Sequence, residues 1–248
     1  MRFTIFSLFF ILFMNAKAAV FLTKEISIPK LLIVYASQTF QDASETREGG
    51  ILTSSIVYSL SNQNRYLTWD DLLPSIVKKT IGLSGGEQLA SIVTTTPDFG
   101  DRICGKSKTY IVSIGINTYI DRQIPTLRYA SIDAKNIYNV FENVCDAHGL
   151  VLIDQKAVSV GIINIIKSIL QTARKEDNII ISFSGHGVKV YGEEMLLTHD
   201  SKYSNGSISE INSTAISVDN LKRMIIQSGN NVVLILDTSF NHLTRKWH

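Results

Sequence analysis

Two short apolar segments of this chain each end in residues that could carry out acid–base or nucleophilic chemistry. Residues 178–187 are Asn-Ile-Ile-Ile-Ser-Phe-Ser-Gly-His-Gly, so an imidazole, His186, follows a run that is typical of a buried strand. A histidine at the end of such a strand is a candidate general base. The second segment, Val-Val-Leu-Ile-Leu at 232–236, is followed by Asp237, a threonine and Ser239. The polar residues at these two strand ends are the first candidates for a functional site.

Strands and helices alternate along the rest of the chain. The apolar spacing predicts further strands at 30–36, 89–95, 110–116 and 150–153, and helices at 51–61, 69–80, 133–143, 160–174 and 218–227. This alternation predicts an α/β fold with a mostly parallel central sheet and helices on both faces. Functional residues of such sheets lie at the carboxyl ends of the strands, and both His186 and Ser239 are in that position.

The two strand ends resemble those of the caspase-like cysteine peptidases, peptidase family C14, which include caspases, metacaspases and bacterial relatives. In that family a Ser-Gly-His-Gly-like turn carries the base, and an Asp-x-Cys sequence carries the nucleophile. The resemblance implies that His186 is the base and that Ser239 occupies the position of the nucleophilic cysteine. It also implies that Asp237 helps to bind a basic side chain at the cleavage position, as in metacaspase-like members. The alternative is that Asp237 caps the backbone turn that follows its strand.

The resemblance extends over most of the chain. Residues 108–242 resemble the large-subunit region, and Leu-Arg-Tyr-Ala-Ser-Ile-Asp-Ala at 127–134 is similar to its Leu-x-x-Ala-x-x-Asp-Ala helix entry. Residues 28–96 resemble the small-subunit region, in which a strand ends in Ala-Ser-Gln, as residues 36–38 do here. The region that normally comes second therefore comes first in this chain.

This order, with a small-subunit-like region at 20–100 and a large-subunit-like region at 108–248, has two interpretations. The economical one is a single circularly permuted domain, the arrangement known from type III metacaspases. The alternative is a fragment of a tandem protein. A permuted domain predicts that the strand at 30–36 lies beside the strand at 232–236 and parallel to it, because the corresponding strands are neighbours in caspase-like folds.

A serine at the nucleophile position predicts the loss of peptidase activity. Cysteine peptidases rely on a thiolate, which a nearby imidazole makes available at neutral pH. A serine hydroxyl is a far weaker acid, and it becomes an effective nucleophile where a well-oriented triad and an oxyanion hole support it. We therefore expect an inactive homologue of a cysteine endopeptidase, with peptides or proteins as its ligands. A scaffold or decoy that pairs with an active homologue is the alternative function.

Composition and the N-terminus limit the partners and the location of the protein. The net charge of +2, from 24 Lys and Arg against 22 Asp and Glu, gives no support to a nucleic-acid partner. Residues 1–18 combine a basic start, an apolar run and an Ala-Lys-Ala end, which is the pattern of a cleaved secretory signal peptide. An uncleaved anchor or a buried core segment is the alternative, although the run is shorter than the roughly 20 residues that span a bilayer. We expect a secreted or periplasmic protein without a stable membrane span.

The sequence predicts no cofactor. Cys104 and Cys145 are too few for a disulfide framework or a metal site, but they could form one disulfide in a secreted chain. Metacaspases often use calcium, yet no ligand spacing supports a calcium site among the aspartates between residues 98 and 133. The aspartates considered are Asp98, Asp101, Asp121 and Asp133.

Overall fold

The computed structural model describes residues 30–37, 43–46, 49–62, 68–96, 103–105, 107–203 and 207–242. The predicted signal peptide and the aspartates Asp98 and Asp101 lie outside these residues. Within the described part of the chain, no helix combines the length and the apolar character that crossing a membrane requires.

Six strands form a central sheet. Their spatial order is β4 (Ser91–Thr94), β1 (Leu31–Tyr35), β11 (Asn231–Asp237), β7 (Asn178–Ser184), β5 (Thr109–Gly115) and β6 (His148–Ile153). Neighbouring strands are parallel, except that β4 runs antiparallel to β1. The predicted α/β fold with a mostly parallel sheet is therefore confirmed.

Strands from both ends of the chain meet in the middle of this sheet. β1 pairs with β11 in parallel, from Leu31 opposite Val232 to Tyr35 opposite Leu236. This is the neighbour relationship predicted for a permuted domain. All five residues of β1 are buried, which explains why its sequence is apolar without alternation: helices cover the sheet on both faces.

Two hydrophobic cores lie on opposite faces of the sheet. Leu31, Ile33 and Tyr35 of β1 point into one core, and Leu32 and Val34 point into the other. The second core is covered by α1 (Ile51–Ser61), α2 (Trp69–Leu83) and α3 (Ala130–Cys145), and the first by α4 (Ser159–Thr172) and α6 (Val218–Ser228). A short helix, α5 (Ile208–Thr214), precedes α6. The predicted helices are thus present, with boundaries that differ by up to three residues.

Short strands at the carboxyl end of the central sheet were not predicted as such. β8 (Gly187–Val190), β9 (Glu193–Leu196), β10 (Ile216–Ser217) and β12 (Phe240–His242) form a second sheet in the order β10-β9-β8-β12. β8 and β12 are direct continuations of β7 and β11 after two intervening residues in each case. β2 (Glu45–Thr46) and β3 (Gly49–Gly50) form a small ribbon that leads into α1.

The two cysteines of the chain form one disulfide. Cys104, in the segment before β5, is bonded to Cys145, the last residue of α3. Both side chains pack against the core under α1, α2 and α3. The bond therefore attaches the connection between the two regions of the chain to the large-subunit-like region.

Candidate active site

The two candidate residues are brought together by strand register. β7 and β11 are paired up to their last residues, and pairing resumes where β8 and β12 begin, with Gly187 opposite Phe240. Two residues separate the paired stretches on each chain segment, and the second of them is His186 on one segment and Ser239 on the other. The structure therefore places His186 and Ser239 opposite each other at the carboxyl end of the sheet.

Among the described residues, Tyr119 and Pro125 hold His186, and neither could be identified from the sequence. Its ring Nε2 lies 3.0 Å from the carbonyl oxygen of Pro125, and its amide donates to the hydroxyl of Tyr119 over 2.9 Å. The rings of Tyr119 and His186 are also in contact, with centroids 5.5 Å apart. No sequence signal marks these partners, because both belong to the irregular segment between β5 and α3.

These contacts determine how the imidazole could act. A carbonyl oxygen can only accept a hydrogen bond, so Nε2 carries the hydrogen in the neutral ring and Nδ1 is the basic nitrogen. Burial lowers the pKa of His186 from its ordinary value, and the Pro125 carbonyl partly opposes that shift. A neutral imidazole whose Nδ1 can accept a proton is the form that a general base needs.

The residue opposite His186, Ser239, has a hydroxyl group, and the chain has no free thiol. It has two cysteines in total, and both are in the Cys104–Cys145 disulfide. The partner that the structure shows for Nε2 of His186 is a neutral carbonyl. In serine hydrolases the corresponding partner of the imidazole is a carboxylate, which stabilises the imidazolium that forms during attack.

The residues on either side of Ser239 are packed closely against the glycine that follows His186. A Cβ on Gly187 would lie 2.8 Å from the hydroxyl oxygen of Thr238 and 2.8 Å from a ring carbon of Phe240. The Phe240 ring also meets Tyr35 of β1 edge-on, with centroids 6.1 Å apart. Phe240 therefore fills the space beside the site and links it to the small-subunit-like region.

Asp237 contacts the first turn of α1. Its Oδ2 accepts hydrogen bonds from the amide of Thr53 at 3.0 Å and from the hydroxyl of Thr53 at 2.6 Å. Gly50, the residue before α1, has no side chain with which to cap the helix, so Asp237 supplies an acceptor from the other end of the chain. The sequence offered the alternative that Asp237 caps the turn following its own strand, and this contact is not observed. Asp237 caps the first turn of α1 instead.

Asp133 is a second buried carboxylate beside Asp237, and sequence reasoning did not assign it to the site. Its Oδ1 accepts from the amide of Gly50 at 2.9 Å, and its Oδ2 accepts from the hydroxyl of Ser184 at 3.2 Å. Asp133 is 2% exposed and Asp237 is 8% exposed. The resemblance of the 127–134 segment to a helix entry was the available signal, but the sequence alone did not reveal the pairing.

Burial and proximity disfavour the ionised form of these carboxyls. Burial, followed by the charge of Asp237, raises the pKa of Asp133 to about 7. Burial also raises the pKa of Asp237, against the effect of its hydrogen bonds from Thr53. The pKa of Glu45 is raised by burial and by Asp237, while Arg128 acts in the opposite direction. The two carboxyls therefore titrate as an interacting pair, and each keeps its proton to a higher pH than an exposed aspartate does.

Glu45 connects the acid pair to an open cleft. The cleft has a volume of about 540 Å³ and is lined by Glu45, Thr46 and residues 126–129. Pro125, whose carbonyl holds His186, directly precedes that lining segment. A cleft lined by one carboxylate, from Glu45, and one guanidinium, from Arg128, thus begins next to the segment that positions the imidazole.

The described residues contain no cluster of three or more His, Cys, Asp or Glu side chains arranged to hold a metal ion. Asp121 and Asp133, two of the aspartates considered for calcium, are engaged separately. Asp121 accepts hydrogen bonds from the backbone amides of Gln123 and Tyr203. Asp133 accepts them from the amide of Gly50 and the hydroxyl of Ser184.

Of the comparisons with known proteins, the match to a family model identifies the family of this chain. No curated protein matches the chain. A crystal structure of a Geobacter sulfurreducens protein is similar at 18% identity and a TM-score of 0.44, over 53% of this chain and 50% of that one, so the chain spans about half of that protein. The family model described as the caspase domain of peptidase family C14 matches residues 109–246. Because that match covers more than half of the chain, the protein belongs to the caspase family.

Proposed function

We propose that this protein is a caspase-family homologue without cysteine endopeptidase activity. The observation that carries the proposal is the register that sets Ser239 opposite His186 between two paired strand stretches, in a chain whose two cysteines are joined in a disulfide. Peptide hydrolysis by this family needs a thiolate, and the position opposite the base has a hydroxyl instead. The neutral partner of His186 Nε2 gives that hydroxyl little assistance, because it cannot stabilise an imidazolium as a carboxylate does.

Peptidase assays on matched variants test this proposal. Peptides with Arg, Lys or Asp at the cleavage position are incubated with wild type, Ser239→Cys and the double variant Ser239→Cys/His186→Ala, with and without calcium. We expect no cleavage by wild type. Cleavage that appears in Ser239→Cys and disappears in the double variant would show that the missing thiol alone accounts for inactivity. Robust cleavage by wild type that His186→Ala abolishes would contradict the proposal.

We further infer that residues 20–100 and 108–248 form one permuted domain. The position of β1 between β4 and β11 supports this inference, as do the hydrogen bonds from Thr53 to Asp237. A fragment of a tandem protein would make the same pairings with a second copy. Sedimentation at low micromolar concentration distinguishes the two: one permuted domain is a monomer, and an obligate dimer would favour the tandem fragment.

The three carboxyl groups of Glu45, Asp133 and Asp237 favour a second candidate function, the binding of peptides with a basic side chain. Glu45 at the cleft and the Asp133–Asp237 pair next to it place three carboxyl groups within electrostatic reach of one another. A fluorescent Lys peptide and its acetyl-lysine counterpart provide the test. We expect the Lys peptide to bind more tightly, and Glu45→Gln to reduce the difference. Equal affinities of the two peptides for wild type would exclude this function.

The disulfide supports a location in an oxidising compartment, because such bonds are rare in reducing cytosol. Together with the signal-peptide pattern at 1–18, it leads us to propose that the protein is secreted. Fusion of residues 1–18 to a reporter tests this directly. Export and cleavage of the fusion are expected, and retention of the uncleaved reporter in the cytosol would contradict the proposal.

A further inference from the structure

The Asp133–Asp237 pair is a point of attachment between the two regions of the chain. Asp133 belongs to α3 and Asp237 to β11, both in the large-subunit-like region. Their hydrogen-bond donors, Gly50 and Thr53, belong to the start of α1 in the small-subunit-like region. The N-terminus of α1 is therefore fixed by two carboxylates that are distant from it in sequence.

The fit around the pair is tight. A Cβ on Gly49 would overlap a carboxylate oxygen of Asp133, and a Cβ on Gly50 would overlap one of Asp237. Gly49 has a φ of 134°, a conformation that other residues rarely adopt. The backbone at 49–50 thus lies directly against both carboxylates, and water has little space there to screen their charges.

The charge at this contact depends on whether the carboxyl groups of Asp133 and Asp237 are protonated. Two buried carboxylates cannot both ionise without repulsion, unless a cation neutralises them. Of the charged groups in the described residues, Glu45 from β2 adds negative charge next to the pair, and Arg128 acts on Glu45 from the exposed segment before α3. The groups that face the pair from α1 and β7 are an amide, Thr53 and Ser184, which donate hydrogen bonds but carry no charge.

We propose that the contact between α1 and the Asp133–Asp237 pair is a proton-controlled switch, closed in mildly acidic solution and loosened when both carboxylates are ionised. The proposal concerns the attachment of α1. It holds whether or not Ser239 supports catalysis and whether or not the cleft binds a peptide.

The direction of the pH effect follows from the linkage between proton binding and folding. The pKa of each aspartate is higher in the folded protein than in the unfolded chain, so the folded state binds more protons between the two values. Stability from this contact is complete below the unfolded value of about 3.9 and is lost as the pH rises towards the folded value. For Asp133 that loss extends to a pH of about 7.

Hydrogen–deuterium exchange at about pH 5.5 and pH 8, corrected for the intrinsic exchange rates, tests the switch. For wild type we expect the protection of residues 49–61 to fall by about tenfold or more between the two pH values, relative to residues 159–172 of α4. Asp133→Asn mimics the protonated carboxyl and keeps an acceptor for the Gly50 amide. It leaves Asp237 as the titrating carboxyl of the pair, so the protection of residues 49–61 should change less with pH than in wild type. Glu176→Gln removes an exposed carboxyl outside the contact and should behave as wild type does.

Constant protection of residues 49–61 in wild type would overturn the proposal, and so would the same pH response in Asp133→Asn. The wild-type measurement tests the proposed switch even if the variant does not fold. Neither measurement involves peptide cleavage or peptide binding, so failure of the switch is distinguishable from failure of the proposed function.

Discussion

The carboxylate of Asp237 is bound to Thr53 by two hydrogen bonds, of 3.0 Å to its amide and 2.6 Å to its hydroxyl. Both residues are buried, so neither partner can exchange this contact for water without movement of the backbone. The strand end next to the candidate active site is therefore tied to α1, and the geometry of the site depends on a region far from it in sequence.

Replacing Thr53 by Val should measure how much the hydrogen bond from its hydroxyl to Asp237 stabilises the fold. Valine preserves the shape of the side chain but removes the hydroxyl, which leaves one acceptor position of a buried carboxylate unfilled. We expect the free energy of unfolding to fall by about 1–3 kcal/mol in urea denaturation. Thr53→Ser retains the hydroxyl and should lose less. Equal losses in the two variants would mean that the methyl group contributes as much as the hydroxyl, and no loss in Thr53→Val would contradict a stabilising role for the hydrogen bond.

The close packing at Gly187 predicts that a single methyl group disturbs the site. In Gly187→Ala the new Cβ would meet Thr238 and Phe240 at 2.8 Å, so Ser239 and its neighbours must shift. We expect a loss of about 1–3 kcal/mol in the free energy of unfolding, measured in urea. Gly82→Ala is the matched control. Nothing lies within 4 Å of its new Cβ in α2, and it should stabilise the protein by about 0.5–1 kcal/mol.

The disulfide predicts a redox-dependent stability. Cys104 and Cys145 are 41 residues apart, and closing a loop of this size is expected to stabilise the folded state by about 4 kcal/mol in the chain-entropy model. Cys104→Ser/Cys145→Ser should therefore unfold at a lower urea concentration than oxidised wild type. Reducing agent should lower the midpoint of wild type and leave that of the double variant unchanged. An unchanged wild-type midpoint would show that the bond contributes little.

The environment of His186 predicts an acidic titration. Because burial lowers its pKa, the ring should titrate below the value of about 6.5 that an exposed histidine shows. Proton NMR of the ring resonances, assigned with His186→Gln, gives the midpoint, and the urea-unfolded chain gives the reference. The unfolded chain binds the proton more readily, so this residue destabilises the fold as the pH falls below about 6.5. A midpoint above that of the unfolded chain would contradict the burial seen here.

The sheet and the two strand ends could be predicted from the sequence because their signal is local. Buried parallel strands are apolar on successive residues, and β7 and β11 each end in a conspicuous polar turn. The pairing of β1 with β11 required the family resemblance in addition, since nothing in β1 itself specifies a neighbour. The register that places Ser239 opposite His186 is set by the parallel pairing of β7 with β11 and of β8 with β12.

The surroundings of these residues could not be predicted, because they depend on tertiary contacts. Asp133 is one of several polar residues in an amphipathic helix, and nothing in its sequence shows that it meets Asp237. Pro125 takes part through its carbonyl oxygen, a group that every residue has. Tyr119 acts from an irregular segment whose path the sequence does not determine.

The position of β1 in the sheet also governs when the protein can fold during synthesis. Thr53 and Asp237 are separated by 184 residues, and β1 pairs with the strand that ends at Asp237. At 5–20 residues per second, a ribosome needs roughly 10–40 seconds to make the intervening chain. During that interval β1, whose residues are apolar on both faces, has β4 but not β11 beside it. The apolar strand β1 therefore lacks its central neighbour until nearly all of the domain has been made.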